Sequence, residues 1–187
     1  MRFNPLSFVH NQIMNEITFT PKSIATLLEN NTCLPVILCI GTDKVIGDAL
    51  GPIVGEMLVN SKIPAYVYGT LTTPVTALNL KDALRFISVR HPSSTVIAVD
   101  SSVGPLCEVG KTRFYKGSIK PGLATGKVLP DAGDLSITLT VASSREENPL
   151  GKVRLGFIYQ HALTIAKTIH GGVSLAFSER KIISTVS

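Results

Sequence analysis

Apolar positions along the chain fall into short blocks divided by polar, glycine- or proline-bearing stretches, and the period inside each block predicts its element. Residues 1–19 keep no clean period and read as an N-terminal extension. Thr20-Pro21 then offers a cap and a first-turn proline, so a short helix is expected through Ile24, Leu27 and Leu28. Pro35–Gly41, PVILCIG, is apolar without alternation and rich in β-branched residues, the pattern of a central strand buried on both faces. After the polar loop TDKVIG, the segment DALGPIVGEMLVN carries Leu50, Ile53, Val54, Met57 and Leu58 at helical spacing. AYVYG (65–69) predicts a second strand. TALNLKDALRFISVR predicts a helix of about fifteen residues closed by His91-Pro92. TVIAVD predicts a third strand, ending on Asp100.

Strand-helix-strand-helix-strand order implies right-handed crossovers in a parallel sheet. The expected fold class is α/β: three αβα layers around a mostly parallel, mixed sheet with helices on both faces, as in hydrolases and phosphorylases. Beyond Asp100 the pattern loosens. KTRFYKGSI reads as a strand, LSITLTVA alternates like a further strand, antiparallel at the sheet edge, and a long helix is expected from about Leu150 through Phe157, Ile158, Ala162, Ile165 and Ile169. The loop from Ser118 to Asp134, crowded with Gly and Pro, is long enough to serve as a lid or specificity element. No repeat or linker divides residues 20–187, which are taken as one α/β domain, and a chain that is 44% hydrophobic can fill its core.

Composition removes several function classes. The net charge of +5 would suit nucleic acid, but Lys and Arg are scattered, aromatics make up 6% and Trp is absent, so no nucleic-acid partner is expected. No stretch approaches a membrane span, and the first residues are too often interrupted by polar side chains to be a secretory signal, which makes the cytoplasm the expected compartment. Cys33, Cys39 and Cys107 lack metal or redox spacing and are expected to be reduced core residues. A homodimer is entertained only because two-fold assembly is common.

Ligands of open α/β sheets collect at the carboxyl ends of the strands, where loops converge and helix amino termini point inward. Two acids are expected there. The first strand leads through a short loop to Asp48, and the third ends on Asp100. Asp48 has a plain alternative as a helix cap. Asp100, preceded by VIAV, is a buried carboxylate that is costly unless something uses or satisfies it. Sharing a crevice, the two would repel each other and leave one protonated acid and one carboxylate to act on a water. Alternatively, both would hold a divalent metal. Gly41, Gly47 and Gly51 would supply tight backbone around a bound substrate, with Thr42 and Asp43 on the rim. GTDKVIGDALG is not a dinucleotide fingerprint and GLATGKV is not a phosphate-binding loop. His10, His91, His161 and His170 form no metal motif, and Ser101 and Ser102 lack a nucleophile elbow.

Four segments, IGTDKVIGDALGP, YGTLTTPVTALNL, VIAVDSSVG and LPDAGDLSIT, resemble sporulation proteins of endospore-forming bacteria that are grouped with the germination protease. More distantly, the strand-loop-DALGP unit and the strand-borne Asp resemble hydrogenase maturation endopeptidases. The resemblance implies a peptidase-like fold in which Asp48 and Asp100 match the essential acids of the germination protease. It also implies a sporulation-associated peptidase acting on a protein or peptide. The alternative is a non-catalytic peptide-binding member of the same fold. In the hydrogenase enzymes the matching acids bind nickel with a later histidine, but this chain has none between His91 and His161, so no metal cofactor is expected.

Overall fold

The structure, a computed structural model, describes residues 16–121 and 129–178. Most of the N-terminal extension, the middle of the Ser118–Asp134 loop and the end of the 20–187 segment lie outside the described residues.

One six-stranded sheet has the order β1-β5-β6-β4-β2-β3. Its strands are β1 (Glu16–Ile17), β2 (Val36–Cys39), β3 (Tyr66–Tyr68), β4 (Val96–Gly104), β5 (Thr112–Lys116) and β6 (Leu135–Ser143). β3, β2, β4 and β6 are parallel neighbours, and β5 and β1 add antiparallel pairs on the far side. The helices are α1 (Pro21–Leu28), α2 (Leu50–Asn60), α3 (Leu80–Arg90) and α4 (Leu155–Ser178). The mixed, mostly parallel α/β architecture is the one the sequence pattern implies.

Strand alternation divides the core into two layers. Ile37, Ile97 and Ile137 pack with Ile24, Leu28, Val54 and Ile165 under α1, α2 and α4. Val36, Leu38 and Ala98 pack with Leu80 and Ile87 under α3. All four residues of β2 are fully buried, each large side chain contributing about 1.5–3 kcal/mol. The direction of travel decides which helix covers which face. From β2 the chain steps outward through α2 to β3, then back through α3 to β4 on the other side of β2. Right-handed crossovers in opposite directions put their helices on opposite faces. The sheet therefore reverses between β2 and β4, the kind of crevice in which α/β proteins bind ligands.

The Thr20 cap forms as expected, its Oγ1 accepting from the Ser23 amide at 3.1 Å ahead of Pro21. Other expectations are corrected. β4 does not end on Asp100 but continues to Gly104, because β6 pairs alongside it the whole way. β6 is not an edge strand. It lies between β4 and β5, parallel to the first and antiparallel to the second. α3 has 11 residues and starts at Leu80, since the Asn79 side chain accepts from the Thr76 amide at 2.7 Å and holds residues 76–79 in a turn. α4 starts at Leu155 because Asn148, with φ 52°, leads into a separate 3-10 turn at Pro149–Lys152 and Val153 is extended. Of the cysteines only Cys39 is buried; Cys33 is half-buried and Cys107 exposed, and all three are free.

Candidate active site

The site begins where β2 stops. Cys39 is the last β2 residue paired with β4, opposite Val99, and Ile40 and Gly41 then turn away to meet Val75. The Ile40 amide donates to the Val99 carbonyl, so odd-numbered β4 residues face β2 with their backbone groups. The Ser101 amide is the next such donor, and β2 is no longer there to receive it. The Asp100 carboxylate takes it instead, Oδ1 accepting at 2.8 Å.

The loop from Gly41 to Asp48 closes over this gap. The Thr42 amide donates to the Asp48 carbonyl at 3.0 Å and the Asp48 amide to the Val45 carbonyl at 2.9 Å, forming a 3-10 turn at Ile46–Asp48. Two glycines permit the fit. Gly41 has φ 140°, and a Cβ on it would run into the Asp48 carbonyl. Gly51, in the first turn of α2, lies so close to the end of β2 that a Cβ would collide with the Ile40 carbonyl. Gly47 is packed against the backbone of Leu150. These three expected binding residues are thus the means by which the loop seats itself. Thr42 is half-buried within the loop, its Oγ1 accepting from the Lys44 amide at 3.3 Å, while Asp43 is exposed on the rim.

Asp48 is not the cap of α2. That role falls to Ala49, and no side chain caps the helix. Instead the Ser101 hydroxyl donates to Asp48 Oδ1 at 3.4 Å. Ser101 therefore bridges the two acids, through its amide to Asp100 and its hydroxyl to Asp48. By strand alternation Asp100 is in phase with Ala98 on the α3 face and Ser101 with Val99 on the α2 face. The carboxyl groups thus reach the crevice from the two sides of β4.

Their electrostatics differ. Asp100 is only 9% exposed, and burial first, then the charge of Asp48, raises its carboxyl well above the ordinary range, against the pull of the Ser101 amide. Asp48 is raised by burial and held back by the Thr42 amide and the Ser101 hydroxyl. The charge of Asp48 is thus felt at Asp100, so the two carboxyls share one crevice electrostatically.

Two carboxylates make a poor metal site. Among the described residues no three His, Cys, Asp or Glu side chains converge as ligands, whereas catalytic zinc sites use three protein donors. The His161 ring packs 4.6 Å from that of Phe157, and burial lowers its pKa. Among the described residues the donor set does not fit a nickel or zinc centre.

The stems of the Ser118–Asp134 loop are rooted away from the acids. Ile119 and Ala132 bridge each other, and Asp134 Oδ2 accepts from the Val96 amide at 2.8 Å, at the amino end of β4. An open groove of about 610 Å³, lined by Arg85, Ser88, His91, Asp131 and Asp134 among others, lies at that end too. The acidic pair outweighs this groove as a candidate for chemistry, because Asp134 is committed to the β4 backbone and Asp131 to Ser118, 3.5 Å away.

Ser101 is the residue that sequence reasoning undervalued. The sequence offers it only as a nucleophile without an elbow, although its position directly after a buried Asp signals an amide-carboxyl contact.

Comparison with known proteins agrees with this architecture. Over 135 residues the chain is 39% identical to the uncharacterized protein YyaC of Bacillus subtilis (strain 168), covering 71% of this chain and 66% of that protein's length. It thus spans just under two thirds of that relative. The fold resembles the [NiFe] hydrogenase maturation protease HycI from Thermococcus kodakarensis KOD1, with a TM-score of 0.51 and 17% identity over 82% of this chain and 98% of that one. Among the described residues no helix is long and apolar enough to cross a membrane. With a family model matching residues 8–168, the chain belongs to the protein family of unknown function DUF1256.

Proposed function

We propose that this protein is a peptidase that hydrolyses peptide bonds with Asp48, Asp100 and a water. The observation that carries the reading is the pair of carboxyl groups at the sheet's reversal point, bridged by Ser101. Asp100, the more deeply buried, is the protonated acid. Asp48, relieved by the Thr42 and Ser101 donors, is the carboxylate base.

In this reading a peptide lies across the gap left by β2 with its scissile carbonyl between the acids. Asp48 takes a proton from the water, whose oxygen bonds to the carbonyl carbon while Asp100 gives its proton to the carbonyl oxygen. The resulting gem-diol collapses as Asp48 returns its proton to the leaving nitrogen. The C–N bond breaks, and Asp100 recovers a proton from the diol. Val45, Ile46 and Leu106 are exposed apolar side chains on loops that follow β2 and β4, suited to flank a peptide. The fold likeness to a maturation protease supports the reaction class, and the resemblance to sporulation proteins supports a role in the cytoplasm of a sporulating cell.

A second reading rests on a specific observation: Asp100 already has a structural task in accepting the unpaired Ser101 amide. On that reading the crevice binds a peptide without cleaving it. The two are separated by incubating a proteome-derived peptide library with the wild type, Asp48→Asn and Asp100→Asn and identifying new termini by mass spectrometry. Cleavage by the wild type that falls about 100-fold or more in both variants supports the peptidase. Peptide retention without cleavage supports the binding protein.

A further inference from the structure

Ser101 stands between two acids that use different parts of it. Its amide, unpaired because β2 has ended, is fixed by the backbone of β4 and can only point into the gap. Its hydroxyl rotates freely about one bond and settles on Asp48 Oδ1. Thr138 and Leu139 of β6 pair with Asp100 and Ser101 on the opposite side, so the β4 backbone at this point is held from one flank while the other faces the crevice. Among the described residues the groups that act on the pair are Thr42, Ser101 and the two carboxyls themselves. Lys152, on the Pro149–Lys152 turn packed beside the Ile46–Asp48 turn, is exposed.

We infer that Ser101 is the positioning residue of the pair, its hydroxyl orienting the Asp48 carboxyl from one face of β4 while its amide fixes the Asp100 carboxyl from the other. The inference rests on the hydrolase reading of the two aspartates and deepens it. At 3.4 Å the hydroxyl contact is long for an O–H···O bond, so its pull on the charged Asp48 carboxyl is modest. The amide contact at 2.8 Å is short and survives any side-chain change at residue 101. Removing the hydroxyl therefore acts directly on Asp48 and on Asp100 only through the charge of Asp48, an asymmetry that a general loss of structure would not produce.

The test is a titration of ¹³C-labelled Asp carboxyl carbons by NMR in the full chain without substrate, for the wild type, Ser101→Ala and Ser101→Thr. The Ala variant should raise the Asp48 midpoint by about half a pH unit, through loss of a donor to the charged form, and leave Asp100 strongly raised. The Thr variant, which keeps the hydroxyl, should titrate like the wild type. An Asp48 midpoint unchanged in Ser101→Ala, or a Thr variant that titrates like Ala, overturns the inference. Because no substrate is involved, the expected shifts in a protein that cleaves no peptide would uphold the positioning role and defeat the peptidase reading alone.

Discussion

Cys39 and Val99 are the last residues that β2 and β4 pair, and each side of the candidate site follows from that stop. On β2 the chain turns off at Gly41 and returns with Asp48. On β4 it runs on, leaving the Ser101 amide to the Asp100 carboxylate. Both acids come to Ser101 because one strand is shorter than its neighbour.

Burying ionisable carboxyls costs stability, and pH exposes that cost. The Asp100 carboxyl is raised on folding, so its contribution is fully present below the unfolded-state value of about 3.9 and is lost as pH rises through the folded value. Asp48 adds a slope of the same sign. Thermal unfolding should show the wild type losing stability from about pH 4 upward through this window. Asp100→Asn keeps the oxygen that accepts from Ser101 and should flatten the slope, leaving the variant the more stable protein at pH 8. A variant less stable than the wild type at pH 8 would count against the raised carboxyl.

Gly51→Ala should reverse the usual rule for helices. Within a helix this change ordinarily gains up to about 1 kcal/mol, but here the added carbon meets the Ile40 carbonyl. Denaturant unfolding should show a loss of about 2–3 kcal/mol. Neutral or stabilising behaviour would mean that α2 does not sit as tightly on the end of β2 as the structure has it.

Much of this arrangement is legible in the sequence, and the failures are instructive. PVILCIG and VIAVD are unbroken apolar runs and DALGPIVGEMLVN has a helical period, so β2, α2, the start of β4 and the two acids could be read from residue order alone. Ser101-Ser102 could not be read as strand, since two serines signal a turn and only pairing with β6 overrides that preference. The inner position of β6 was hidden for a similar reason. It depends on β5 crossing to the far side first, and no local pattern records that step. Thr76 and Asn79 looked helical by spacing but form a side-chain-held turn. The meeting of Asp48 with Ser101, 53 residues later, is a tertiary fact that the order of residues does not contain.

With two carboxylates and no third converging donor among the described residues, hydrolysis should be independent of metal. Wild-type protein dialysed against EDTA should cleave library peptides at an unchanged rate, and calorimetric titration with nickel should give no more heat than the Asp48→Asn variant. Activity that vanishes on chelation and returns with nickel would contradict the aspartate-only mechanism.

The most direct measurement of the central claim is the pH dependence of kcat/KM on the best-cleaved library peptide. An unlike carboxyl pair requires a bell: the acid limb marks ionisation of the Asp48 base, and the alkaline limb marks loss of the Asp100 proton. That bell, with activity down about 100-fold or more in both Asn variants, is the expected result. A rate that climbs steadily to alkaline pH, or full activity in Asp100→Asn, would contradict it.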